Sequence, residues 1–298
     1  MAYNLASMTV KARSFAKINL GLSIGGTRED GFHELLTIYQ IIGLHDMISV
    51  SVSSGRGIEI RCTDPRVPKD ESNTCYRIVK KAMSALKAKG QVVVDIEKRL
   101  PVQGGMGGAS SNAVAAMLAL ERVMKKSLPA EERLRIAGEV GSDLPLFLVG
   151  GTVLGVGRGE QVYPLEDLPR TAGVVMTPGV GVSTPKAFAD WDRIRKESAA
   201  DKSARGAGLR PVGLPKACPE LVEGAAFPTR ASSAKLTMAG ASDRMTELGR
   251  VLSAWLSKSY SGAPRSERGR AENLLLELVR AGIKNDFEEV VFPDYPEL

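Results

Sequence analysis

Pro101-Val-Gln-Gly-Gly-Met-Gly-Gly-Ala-Ser-Ser-Asn112 is the stretch on which the reading of this chain turns. It follows QVVVDIEKRL, which has the branched, alternating character of a strand, and opens AVAAMLALERVMKK, an apolar helix. Four glycines, Gly104, Gly105, Gly107 and Gly108, precede Ala109 and three small polar residues, Ser110, Ser111 and Asn112. Glycines let backbone N–H groups approach an anion closely, and the unpaired N–H groups and dipole at a helix start favour a phosphate. A tight strand-to-helix turn capped by Ser110, Ser111 or Asn112 is the competing reading, but such a turn does not need four glycines. The stretch is not a Walker A loop, which needs Gly-Lys-Ser/Thr, nor a Rossmann G-x-G-x-x-G in a parallel unit. GVGRG at 155–159 is better read as the tip of a hairpin.

Working outward, TVKARSFAKINLGLSI predicts a strand around Val10 to Ile24, and GGTREDG supplies a turn. LLTIYQIIGL, MISVSV and IEIRC are three further strand candidates, and TCYRIVKKAMSALKAKG has helical spacing with Asn73 or Thr74 as its cap. A short helix is predicted from Ala130 to Val140, then GSDLPLFLVGG and a hairpin turning at Gly157 to Gly159. PRTAGVVMTPG should begin a second unit with a strand, and STPKAFADWD should start a helix. From Arg193 the pattern dissolves into Ser, Ala, Gly, Arg and Pro, so residues 193–270 are predicted to be a low-complexity, mostly disordered insertion. Within it MTELGRVLSAWL keeps helical spacing, and order is expected again at Asn273 with LLLELVRAGIKNDFEEVVF.

Composition narrows the function classes. The chain has 298 residues, 43% of them hydrophobic, enough for one large domain or two ordinary ones. The longest apolar run, Leu144 to Val156, is interrupted by Pro145, Gly150 and Gly151, too short and broken to span a bilayer. The first residues carry no basic region followed by an apolar core, and Met8 could equally be the natural start, so a cytoplasmic protein without a membrane partner is expected. Cys62, Cys75 and Cys218 lie far apart and read as idle thiols. With His33 and His45 the only histidines, a multi-histidine metal site is excluded, and any metal must be held by oxygen. The net charge of +6 is concentrated in residues 193–270, where fifteen Lys/Arg face seven Asp/Glu; the rest of the chain is about −2, which argues against a nucleic-acid partner.

PVQGGMGGASSN resembles the second signature of the GHMP kinases, with Met106 where leucine is usual. The resemblance extends to AKINLGLSIGGTREDGFHEL, GSDLPLFLVGGTVLGVGRGE and IKNDFEEVVFPDYPEL, which are similar to segments of the GHMP kinases acting on 4-diphosphocytidyl-2-C-methyl-D-erythritol. It implies an α+β, two-domain GHMP fold: an ATP-binding and catalytic domain at residues 8–168 and a ferredoxin-like second domain at 169–298. It also implies transfer of the γ-phosphoryl of ATP, with Mg²⁺, to the 2-hydroxyl of that cytidylated methylerythritol in non-mevalonate isoprenoid synthesis. Asp143 and Lys17 match the family's catalytic pair, and Pro101, Gly104, Gly105, Gly107, Gly108, Ala109, Ser110, Ser111 and Asn112 its phosphate loop. The family sets an aromatic and a histidine, here Phe32 and His33, against the cytosine base, with Asn19 a plausible substrate contact beside Lys17.

The chemistry agrees with those assignments: an alcohol acceptor needs a carboxylate beside its hydroxyl, and a loose phosphoryl transition state needs positive charge. Phe32 stands where tyrosine is common, which keeps stacking and loses a phenolic hydrogen bond. The resemblance also implies a third, Gly-Ser-Gly type motif after NDFEEVVFPDYPEL, and the sequence reaches Leu298 without it, so the second domain is expected to be incomplete. Two alternatives stay open on the sequence: a kinase of the same family acting on homoserine or mevalonate, and a weakly active or non-catalytic nucleotide-binding remnant.

Overall fold

The computed structural model describes residues 8–177, 182–206 and 285–295. Its backbone is a six-stranded mixed sheet with helices packed on one face. Strand β1 (Thr9–Thr27) turns at Arg28–Phe32 and pairs along its whole length with antiparallel β2 (His33–Ser53). The other edge of β2 is shared. Met47–Ser53 pair with β4 (Gln91–Glu97), and Leu35–Gln40 pair with β5 (Thr152–Gly157). Strand β3 (Gly57–Cys62) lies parallel to β4, joined to it through helix α1 (Thr74–Ala85), and β6 (Gln161–Pro164) closes the far edge beside β5.

LLTIYQIIGL and MISVSV are therefore one continuous strand. The gap between the two candidates, His45 and Asp46, is paired to β1, and Gly43 and Leu44 are the surplus residues of an irregularity where the register shifts from Phe15↔His45 to Ala16↔Ile42. A second shift lies between Asn19 and Gly21. Such bulges bend the ladder and re-aim the side chains beside them, here those around Lys17 and Asn19.

The core seats the helix that follows the glycine-rich loop. Ile48, Val50 and Val52 of β2, with Val92, Val94 and Ile96 of β4, face helix α2 (Gly108–Met124), whose Ala113, Ala116, Met117, Ala119 and Leu120 are each 0–1% exposed. Helix α2 is apolar on nearly all sides because it is also wrapped by α1, α3 (Ala130–Val140) and α4 (Leu144–Val149). One charge lies within that wrapping: Glu121, 5% exposed, is gripped by Arg133 and by Leu128 N–H. Helix α1 begins as expected, with Asn73 Oδ1 accepting from Cys75 N–H at 2.8 Å.

Helix α5 (Thr184–Gly206) corrects the expected start of the insertion, because it continues through Arg193. Arg, Lys, Glu and Ala are good helix formers even without an apolar period, and the pairs Lys186–Asp190 and Arg193–Glu197 lie one turn apart. Trp191 anchors it, 5% exposed, against Leu22, Ile24 and Val290. Val290 belongs to helix α6 (Glu288–Asp294), in the segment where Asp286 accepts from Ile24 N–H at 2.8 Å. The strand expected in PRTAGVVMTPG does not form over the described residues 165–177: Val174 and Met176 are 92% and 88% exposed, and among the described residues no strand pairs with them. Cys62 and Cys75 are free and buried, as expected of idle thiols. Cys218, MTELGRVLSAWL, the remainder of the insertion and LLLELVRAG fall outside the described residues.

Candidate active site

Helix α2 starts without a side-chain cap. Its N-cap is Gly107, in the left-handed region at φ 67, and neither Ser110, Ser111 nor Asn112 bonds the free N–H groups of the first turn. Those side chains work elsewhere. Ser111 accepts from Ser14 Oγ at 2.7 Å, Asn112 donates to Asp46 at 3.0 Å, and the Ala109 carbonyl accepts from Thr74 Oγ1. The turn-with-cap reading therefore fails, and a helix start with N–H groups facing a cavity remains. That cavity, about 330 Å³, is walled by Gly104 to Ser110 and Pro101 on one side and by Asn73, Thr74 and Lys98 on the other.

The loop is seated directly on β1. Met106 is buried between Ala16 and Leu100, and its carbonyl accepts from Lys17 N–H at 3.0 Å. Leucine is not required there; an apolar side chain of similar volume is. Gly107 lies so close to β1 and α4 that an added Cβ would sit 2.7 Å from Phe147 Cζ and 3.0 Å from Lys17 Cγ.

Lys17 is 7% exposed, and its Nζ donates to Asn19 Oδ1 at 2.6 Å and lies 3.7 Å from Asp143 Oδ2. Asn19 is fixed in turn by donating to Thr37 Oγ1 at 2.8 Å. Asp143 stands at the N-cap position of α4, yet its side chain does not cap the helix; its carboxylate is about one-third exposed and faces Lys17. The loop-cap reading of Asp143 is thereby set aside: an accessible carboxylate stands beside an ammonium, next to a helix start whose N–H groups are uncapped. Tyr39, 3% exposed, lies beside this pair with its ring 5.1 Å from Lys17 Nζ. Burial first, and then the Asp143 and Glu160 carboxylates, push its phenol pKa well up, so it stays neutral.

Phe32 and His33 lie at the hairpin end, where β1 turns into β2. The Arg158–Gly159 turn lies between Phe32 and Tyr39: a Cβ on Gly159 would stand 2.5 Å from the Tyr39 hydroxyl. Phe32 is exposed, with the Arg158 guanidinium 5.0 Å from its ring centroid. The His33 ring stacks on Phe188 at 4.8 Å, and its Nε2 lies 2.8 Å from Asp192 Oδ1. Both partners come from α5. The sequence reading missed Tyr39, Asp46, Phe188 and Asp192, which carry no local motif; only their placement across the sheet reveals them.

Residues 73–151 match the model of the GHMP kinases N terminal domain. This stretch is similar to the N-terminal domain of the GHMP kinases. The matched span covers α1, the phosphate loop and Asp143, while Lys17 lies before it. The chain is also similar to two relatives named 4-diphosphocytidyl-2-C-methyl-D-erythritol kinase. The one from Solibacter usitatus is 41% identical, covering 61% of this chain and 57% of the relative. The one from Saccharopolyspora erythraea is 39% identical, covering 63% and 61%. A crystal structure of 4-(cytidine 5'-diphospho)-2C-methyl-D-erythritol kinase superposes with a TM-score of 0.54 at 33% identity, over 61% of this chain and 64% of that one. The chain thus spans about three fifths of the length of the curated relatives it matches. The mixed α and β architecture expected of a GHMP domain is the one observed. Among the described residues no helix is long and apolar enough to cross a membrane.

Proposed function

We propose that the chain phosphorylates the 2-hydroxyl of 4-diphosphocytidyl-2-C-methyl-D-erythritol from ATP, with residues 8–168 as the ATP-binding and catalytic unit of a two-domain kinase of the cytoplasm. The observation that carries this reading is the contact between the two halves of the site: Lys17, paired with Asp143, touches Gly107 at the uncapped start of α2. A γ-phosphoryl held by the loop is then presented to the carboxylate that receives the acceptor's proton.

The step balances simply. The acceptor oxygen bonds to the γ-phosphorus as the bond from that phosphorus to the β-bridging oxygen breaks. ADP leaves, and the hydroxyl proton passes to Asp143 Oδ2. Lys17 orients the Asp143 carboxylate and offers positive charge to the transferring group. Among the described residues no three His, Cys, Asp or Glu side chains converge as a metal cage. That fits a Mg²⁺ brought in on the triphosphate, held by phosphate oxygens and water, where it would neutralise charge on the β- and γ-phosphates.

Phe32 and His33, at the hairpin end of β2, suit an acceptor whose base stacks there while its polyol reaches Asp143. The printed names of the relatives support the same acceptor. The test is MgATP-dependent ADP release from the full chain with three acceptors: the cytidylated methylerythritol, homoserine and mevalonate. Turnover with the first alone supports the reading, and preference for either of the others overturns it.

A further inference from the structure

Asp46 is fully buried on β2, and its carboxylate accepts four hydrogen bonds. Oδ1 takes Arg99 N–H at 2.6 Å and Leu100 N–H at 2.7 Å; Oδ2 takes Lys98 Nζ at 2.6 Å and Asn112 Nδ2 at 3.0 Å. The donors bracket the phosphate loop. Lys98 to Leu100 lead into Pro101, and Asn112 lies in the second turn of α2. One carboxylate thus ties the entry of the loop to its exit and fixes the separation of its two ends.

The same carboxylate holds a charge at the cavity. Lys98 is only 9% exposed through its side chain, it lines the cavity, and its Nζ lies 3.3 Å from where a Cβ on Gly108 would stand. The ammonium therefore sits beside the first N–H groups of α2. Without Asp46 a lysine so enclosed would lose its partner, and the N–H groups of Arg99 and Leu100 would lose their acceptor.

We propose that Asp46 is a positioning residue for the nucleotide triphosphate: it sets the width of the 101–111 loop and holds the Lys98 ammonium at its mouth. This rests on the reading of the loop as a triphosphate site and is independent of which acceptor is phosphorylated. Asp46→Asn keeps an oxygen for the two backbone donors but turns an amide N–H₂ toward Lys98 and Asn112, donor against donor.

The experiment measures ATP dissociation by calorimetry without acceptor, the KM for ATP and for acceptor, and thermal melting. It compares the wild-type chain, Asp46→Asn, and the double variant Asp46→Asn with Lys98→Met. The double variant removes both charges, keeping the interior balanced and the protein measurable if the single variant does not fold. The expected result is an ATP Kd and KM raised about tenfold or more in either variant, with the acceptor KM unchanged. The double variant should melt closer to wild type yet still bind ATP weakly. A purely structural role would lower the active fraction and leave both KM values alone; that outcome, or wild-type ATP affinity in the double variant, overturns the proposal. A wild-type chain that does not bind ATP at all removes the triphosphate site and this role with it, and is told apart because it needs no variant.

Discussion

Gly107→Ala perturbs the seam between the glycine-rich loop and the Lys17–Asp143 pair. Gly107 holds φ 67, and an L side chain in that region costs roughly 1–2 kcal/mol. Its new Cβ would also lie 2.7 Å from Phe147 Cζ and 3.0 Å from Lys17 Cγ, neither of which is free to swing away. Phe147 packs against the main core and Lys17 is buried, so overpacking adds about 1–3 kcal/mol. Together the two effects remove about 2–5 kcal/mol, a large share of a typical 5–15 kcal/mol of stability. For a domain of this size the melting temperature should fall by roughly 5–15 °C. Relief by displacing Lys17 should also disturb its alignment with Asp143, and a shift near 1 Å is worth about 10²-fold in rate. Scanning calorimetry and the ADP-release assay read both effects. A variant that melts and turns over like wild type would show that the loop does not press on β1 as described.

Two further predictions concern the pocket around Lys17. Lys17→Met keeps the aliphatic packing against Gly107 but removes the ammonium, so turnover should fall about 10²-fold or more while melting changes little; unchanged turnover would strip Lys17 of its role. The Tyr39 phenol, its pKa raised chiefly by burial, should give no phenolate signal at roughly pH 9–11, where ordinary tyrosines ionise, judged from the ultraviolet titration of wild type against Tyr39→Phe. The unfolded chain releases that proton more readily than the folded one, so Tyr39 should make stability fall as pH rises past about 10, and Tyr39→Phe should lessen that fall.

The parts of the fold legible in sequence are those governed by local rules. The Asn73 cap, the glycine-rich strand-to-helix junction and the hairpin at Gly157 to Gly159 each follow from residues a few positions apart. Where pairing across the sheet decides, sequence misled. LLTIYQIIGL and MISVSV look like two strands yet form one, carried past the bulge at Gly43 and Leu44 by its pairing with β1, whereas Val174 and Val175 look like a strand and have no ladder among the described residues. Helix α5 extends past Arg193 because its residue types favour a helix and Trp191 gives it one buried anchor.

The site divides in the same way. The phosphate loop announces itself by composition, and the sequence resemblance supplied Lys17 and Asp143, which the fold brings to 3.7 Å. Asp46 and Tyr39 could not be read from β2, because nothing in their neighbourhood distinguishes them from other strand residues. Their importance comes from donors and charges contributed by β4, α2 and α4.

The central claim is that Asp143 takes the acceptor's proton while the loop holds ATP independently. The most direct measurement is acceptor-dependent ADP release by the wild-type chain and by Asp143→Asn, with ATP affinity measured on both. The account predicts release that requires the cytidylated methylerythritol and falls roughly 10²-fold or more in Asp143→Asn, with the ATP Kd nearly unchanged. Equal turnover in the two proteins would contradict it.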